Sequence, residues 1–125
     1  MSLRLPVIGL AALLLSGCGS TDAVPTSTLP VKGVVTFRGR PLTSGTIVFE
    51  PEGRGREAHG EIGPDGSYAL STFTKDDGAV PGPHRVAIKG TPKSLKVPAK
   101  YAGAGSSKIE ITVEESKTDY PITLE

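Results

Sequence analysis

Several residue types are scarce in this chain of 125 residues: it has one Cys, one Met, no Trp, three Phe and three Tyr. A single Cys can close no internal disulfide and build no thiolate metal cage. With 14 Lys and Arg against 13 Asp and Glu, there is no basic excess to displace phosphate counterions, which argues against nucleic acid as a main partner. Past the N-terminus, no window of eleven or more residues carries a 3.6-residue apolar stripe with caps, so a helical domain is not expected. The N-terminal apolar run, residues 5–15, is too short to cross a bilayer at about 1.5 Å per residue. What is present suits one domain: the hydrophobic residues are 37% and there are 16 Gly, together an ordinary globular share from which to build a core.

The short apolar run follows a single positive charge, Arg4, which is the layout of a secretory signal. It ends in Leu15-Ser16-Gly17-Cys18, which resembles the bacterial lipobox. That resemblance implies that Cys18 receives a diacylglyceryl group on its sulfur, that residues 1–17 are then removed, and that the new amine is acylated. The chain's one Cys falls where that chemistry needs a thiol. Three acyl chains, at about 0.8 kcal/mol per buried methylene, make an essentially permanent anchor, whereas one chain alone is marginal. Gly19 follows the lipidated position, where the best-known sorting rule reads Asp as retention in the inner membrane. The expected location is therefore an outer membrane or cell surface, with the periplasmic face as the other option.

Removal of Arg4 leaves 13 bases and 13 acids in the mature chain. Residues 18–29, rich in Ser, Thr, Gly and Pro, read as the lipidated Cys and a flexible tether. From Pro30 to the end, short alternating stretches recur between Gly and Pro punctuation, the pattern of an antiparallel β-domain. The expected strands are residues 31–38, 46–50, 57–62, 67–73, 84–89, 108–114 and 119–124. Alternation points Val35, Phe37, Ile47, Phe49, Ile62, Tyr68, Leu70, Val86, Ile88, Ile109, Ile111, Val113, Tyr120, Ile122 and Leu124 inward. It turns Lys32, Glu57, Glu61, Arg85, Lys89, Lys108, Glu110 and Glu114 outward. Seven half-buried strands over residues 30–125 predict an all-β, seven-stranded antiparallel β-sandwich. Gly63-Pro64-Asp65-Gly66 has the chemistry of a tight hairpin turn. Pro121 makes the last strand an edge or a bulged one, since it cannot donate to a ladder.

The punctuation also carries a resemblance. Val31-Lys32-Gly33-Val34-Val35, then Gly39-Arg40-Pro41-Leu42 and Gly45-Thr46-Ile47-Val48-Phe49, resemble the opening of carboxypeptidase regulatory-like domains, a transthyretin-like (prealbumin-like), Ig-like sandwich group. Asp65-Gly66-Ser67-Tyr68-Ala69-Leu70 resembles their central turn and strand. Pro81-Gly82-Pro83-His84-Arg85-Val86-Ala87-Ile88 resembles a later segment, with His84 where Tyr is usual. Pro98-Ala99-Lys100-Tyr101 and Ser107-Lys108-Ile109 are similar to a segment of short lipoproteins from planctomycete-like bacteria. The resemblance spans almost the whole mature domain and implies a binding or structural module. Its motif positions shape backbone and carry no acid–base pair.

No residue set for catalysis or for a cofactor emerges. The ending Tyr120-Pro121-Ile122-Thr123 lacks the Tyr-Arg-Gly-Ser of the urate-pathway hydrolases built on that fold. Two Tyr and two His for an iron site would have to come from Tyr68, Tyr101, Tyr120, His59 and His84, but the His are 25 positions apart and Tyr68 and Tyr120 fall on core faces. His59, between Glu57 and Glu61, reads as a solvated strand residue. His84 reads as a strand-end residue half covered by a loop. No Ser sits in a nucleophile elbow. Asp76-Asp77 before Gly78 lacks the alternate oxygen ligands of a calcium loop and reads as a turn. Gly53-Arg54-Gly55-Arg56 lacks the Lys-Ser/Thr ending of a phosphate loop. An isopeptide bond from Lys32 to Asp119, with Glu50 or Glu61 as shuttle, would need a buried neutral amine, and Lys32 is out of phase with the core.

Charge is unevenly spread. Residues 78–109 hold six bases, Arg85, Lys89, Lys93, Lys96, Lys100 and Lys108, and no acid. Within them, residues 90–107 form a long connection, a common place for function. Lys89, Lys93, Lys96 and Lys100 are therefore the candidate contacts for an anionic envelope component or protein partner. The expected protein is a lipid-anchored envelope module without catalytic activity, cofactor or metal. The alternatives are an accessory or chaperone-like subunit recruiting a partner through an edge strand, and a small metal-binding protein or enzyme on the same fold.

Overall fold

Alternation of small or apolar residues with polar ones builds the first strand. In β1 (Lys32–Phe37) Gly33, Val35 and Phe37 are buried while Lys32 and Val34 face out, as a period of two requires. The remaining strands are β2 (Arg40–Pro41), β3 (Thr46–Pro51), β4 (Ala58–Glu61), β5 (Ser67–Ala69), β6 (Gly82–Lys89), β7 (Glu110–Val113) and β8 (Ile122–Leu124). This arrangement comes from a computed structural model that describes residues 26–125.

The strands form two four-stranded sheets. One has β1 at its centre, with β2 and β5 along one side and β8 along the other; the second has the order β4-β3-β6-β7. Val35, Phe37, Tyr68, Leu70, Tyr120, Ile122 and Leu124 meet Ile47, Phe49, Val86, Ile88 and Val113 in one core between the sheets. Phe49 reaches Tyr68 across the gap with ring centroids 6.3 Å apart. Each such side chain, fully buried, contributes about 1.5–3 kcal/mol of transfer free energy. The chain is thus mostly β and β-sandwich-like, and the inward set expected from alternation is buried except Ile109 and Ile111, which are half-buried.

Three features depart from the expected architecture. An eighth strand, β2, pairs with the end of β1 (Thr36 with Pro41, Phe37 with Arg40); two residues are too few to show a period. The sheets are not wholly antiparallel, because β8 runs parallel to β1, Val35 opposite Ile122 and Phe37 opposite Leu124. The chain leaves β7 in the second sheet and crosses to the first, and a crossover is what allows parallel neighbours. The long connection after β6 also has structure of its own: single 3₁₀ turns at Lys93–Leu95 and Ala99–Ala102, then a short helix α1 (Ala104–Ser107).

The tight turn at residues 63–66 and the edge position of the last strand hold, whereas the hairpin does not, because β4 and β5 belong to different sheets. At residues 63–66 the Gly66 N–H donates to the Gly63 carbonyl at 2.9 Å, Gly66 takes φ +85°, and the Asp65 carboxylate accepts from the Ser67 N–H and hydroxyl. Those two hydrogen bonds, the hydroxyl first, hold the Asp65 carboxyl below its ordinary value. The turn joins strands of different sheets, which touch again where His59 pairs with Ser71. The Pro121 strand is an edge, since among the described residues β8 pairs with β1 alone.

Two tyrosines lock the crossing to β8. The Tyr68 hydroxyl donates to the Tyr120 carbonyl at 2.6 Å, and the Tyr120 hydroxyl accepts from the Glu114 N–H and donates to the Lys117 carbonyl, both at 3.0 Å. Gly33 fits between them, because a Cβ there would collide with the Tyr120 carbonyl and touch the Tyr68 ring.

Candidate functional site

The Leu15-Ser16-Gly17-Cys18 motif and most of residues 18–29, read above as a tether, lie outside the described residues. The point where that segment joins the domain is described. Leu29 exchanges two backbone hydrogen bonds with Ala79, of 2.8 and 3.0 Å, and Gly78 packs so closely on the Leu29 carbonyl that a Cβ would not fit. The chain therefore enters at the start of β1, beside the loop of residues 71–78.

The basic segment divides. Lys93 opens and Lys96 follows the first 3₁₀ turn, whose Ser94 and Leu95 line a cavity of about 250 Å³ together with Phe37, Arg38, Arg40 and Pro41. Arg38 and Arg40 are exposed, and the Arg38 guanidinium lies 5.2 Å from the Phe37 ring centroid. Leu95 packs on the core, which fastens this turn to the far end of β1. Lys89 closes β6 opposite Thr46. Lys100 sits with its ammonium 5.1 Å from the centroid of Tyr101, a buried residue whose hydroxyl accepts from the Glu125 N–H at 3.0 Å. All four candidate lysines are exposed. Arg85 and Lys108 go elsewhere: both line a second cavity with α1, and Arg85 donates to Glu52 at 3.2 Å.

Arg38 and Arg40 were invisible to the charge count because more than fifty positions separate them from Lys93 in the chain. The cavity that Ser94 and Leu95 line with Arg38 and Arg40 is what brings the two segments together. The basic end and the point where the N-terminal segment enters lie at opposite ends of β1, which at about 3.3 Å per residue is roughly 20 Å long.

A larger, open cavity of about 600 Å³ lies beside the seam between β4 and β5, and its lining includes Lys32, His59, Glu61, Ser71, Lys75 and Asp76. It brings a Ser, a His and acids to one surface. However, the Ser71 hydroxyl oxygen accepts from the Asp76 N–H at 2.7 Å, and Ser71 meets His59 through main-chain hydrogen bonds of 2.9 and 3.0 Å. No hydroxyl-to-imidazole bond of the kind a nucleophile needs is formed there. His59 is exposed, as its position between two Glu suggested.

His84 differs from expectation. It is fully buried, with Nε2 2.8 Å from the Val80 carbonyl, Nδ1 without a hydrogen-bond partner among the described residues, and its ring 5.7 Å from that of Phe49. The strand begins two residues earlier than alternation suggested, so His84 is an interior position in phase with Val86. Lys32 and Asp119 do face each other across neighbouring segments, but both are exposed, which leaves the amine solvated and unfit for an isopeptide bond.

The Asp76-Asp77 turn is tightly organised. One oxygen of Asp77 accepts from the Thr72 N–H at 2.6 Å and the other from the N–H groups of Phe73 and Thr74, each at 3.0 Å. Burial pulls the Asp77 carboxyl upward, but these donors outweigh it and hold the carboxyl below its ordinary value. Occupied in this way, Asp77 closes the loop rather than offering oxygens to a cation.

Comparison with family models, curated proteins and solved structures finds no match.

Proposed function

We propose that the protein is a lipid-anchored module of the bacterial cell envelope, held through Cys18 after removal of residues 1–17. On this reading residues 30–125 are a transthyretin-like sandwich that binds an anionic partner without catalysing a reaction. The observation that carries the binding role is the cavity that the exposed Arg38 and Arg40 line together with Ser94 and Leu95, the chain neighbours of Lys93 and Lys96, at the end of β1 remote from the tether. A module that must reach away from its membrane has its contact surface there, and Arg forks suit carboxylate or phosphate groups. Lys89 and Lys100, also exposed, are further candidate contacts.

An accessory role through strand addition has less support. The β8 edge is three residues long and follows Pro121, so it offers a partner strand few N–H groups. The experiment has two parts. Labelled palmitate should enter the wild type and not Cys18→Ala; equal labelling removes the anchor from the reading. Crosslinking in the native envelope should capture an anionic partner, and replacing Lys93, Lys96 and Lys100 by Ala should weaken that capture. Undiminished capture by the triple variant would refute the basic end as the contact surface.

A further inference from the structure

Among the described residues two large hydrophobic side chains stand out of the surface, Val34 at 39% and Phe73 at 43% exposure. Phe73 is presented with unusual firmness for a loop residue. Its own N–H and those of Thr72 and Thr74 are held by Asp77. The Thr72 hydroxyl donates to the Gly78 carbonyl at 2.7 Å, and the Ser71 hydroxyl oxygen accepts from the Asp76 N–H. A backbone stapled at this many points loses little freedom on binding.

The root of this loop is where the chain outside the described domain arrives, since Leu29 pairs with Ala79 and packs on Gly78. Between Cys18 and Leu29 stand ten residues, which reach at most about 35 Å. If Cys18 carries the acyl chains, the surface beside Leu29 is the part of the domain kept nearest the bilayer, at a high effective concentration.

We propose, resting on the lipid-anchor reading above, that Phe73 is the point at which the domain sits on the membrane that carries its anchor. The ring enters the interfacial layer, and the neighbouring cations of Arg56 and Lys75 lie among the headgroups. The Arg56 guanidinium is already 5.8 Å from the Phe73 ring centroid, the pairing of aromatic body and cationic tip that suits a boundary between apolar and wet regions. Chain neighbours balance those cations, Glu57 beside Arg56 and Asp76 beside Lys75. The seat is therefore apolar in character and does not require anionic lipid. With Phe73 down, the Arg38 and Arg40 end is turned toward whatever lies beyond the membrane.

The chain contains no Trp, so Phe73→Trp introduces a single reporter at an exposed position. The full lipidated protein carrying it is reconstituted into phosphatidylcholine vesicles, with and without bromine on the acyl chains, and recovered by flotation. The expected result is co-flotation, blue-shifted emission on reconstitution, loss of intensity with brominated lipid, and no reversal by raised salt. The same protein with Val34→Trp in place of Phe73→Trp should keep water-like, unquenched emission. Co-flotation with the indole at position 73 still in water overturns the seat and leaves the anchor standing. Quenching at position 34 instead would show a different resting face and equally overturn it. Failure to co-float would overturn the anchor, and the seat with it.

Discussion

Replacing Tyr68 by Phe tests the lock between the two halves of the first sheet. The ring stays and only the hydroxyl goes, so the packing against Phe49 and Gly33 is kept while the donor to the buried Tyr120 carbonyl at 2.6 Å is lost. A net hydrogen bond is worth about 0.5–1.5 kcal/mol and an unsatisfied buried acceptor costs more, so the expected destabilisation near neutral pH is about 1–2 kcal/mol. The pH dependence is the sharper part. Burial, with smaller contributions from the charge of Asp119 and from Tyr120, raises the Tyr68 phenol well above its ordinary value. A raised folded value means that the protonated phenol's contribution is complete below the unfolded value of about 10 and is lost as pH rises beyond it, by about 1.4 kcal/mol per unit. Tyr68→Phe has no such loss. The stability gap between wild type and variant should therefore hold steady up to about pH 9 and close by about pH 11. Urea unfolding followed by far-UV circular dichroism measures this, with equal slopes in the two proteins confirming that the same surface is exposed. A gap that stays constant across that range, or one below about 0.3 kcal/mol near neutral pH, would refute the reasoning.

Other outcomes follow from single contacts. Gly33→Ala forces a Cβ into the Tyr120 carbonyl and the Tyr68 ring, so it should cost about 2–3 kcal/mol of overpacking in a denaturant midpoint, and a change within error would show that β8 can yield. Phe49→Ala empties the centre of the core, where the ring touches both Tyr68 and His84; a loss of about 3–5 kcal/mol is expected by the same method. Asp77→Ala frees the N–H groups of Thr72, Phe73 and Thr74, so amide exchange should accelerate at those three positions while the β6 amides remain slow. In the wild type the lowered Asp77 carboxyl makes that protection present above the ordinary carboxylate value, about 3.9, and lost as pH falls through the folded one. Replacing both Arg38 and Arg40 by Gln should lower the salt concentration at which the protein leaves a polyglutamate matrix, whereas Lys108→Gln should not; equal shifts would mean that net charge, not the basic end, is being read.

Much of the fold was legible because a strand writes its two faces directly into the sequence. Val35 and Phe37, Ile47 and Phe49, and Ile122 and Leu124 each alternate with polar or turned-out neighbours, and all six are buried. The turn chemistry of Pro64-Asp65-Gly66 is equally local, resting on one positive φ and one carboxylate; that the turn passes between two sheets is not. His84 and Tyr101 were harder to place. Each is buried by elements brought to it from elsewhere, His84 beside Phe49 of β3 and Tyr101 beneath the C-terminal Glu125, so no short window around either residue contains the reason.

The sequence alone determined the β period, the single thiol at position 18, and the acid-free stretch of residues 78–109, because each is a property of neighbouring residues or of counting. Tertiary structure alone decided that β8 lies parallel to β1, that Arg38 and Arg40 share a cavity with Ser94 and Leu95, and that the loop carrying Phe73 is rooted where Leu29 pairs with Ala79. The physical reason is the same in all three. Each is a meeting of segments far apart in the chain, set by which apolar faces can be buried together, and that is settled only when Leu95 seats on the core, Leu29 pairs with Ala79, and the Tyr68 hydroxyl finds the Tyr120 carbonyl.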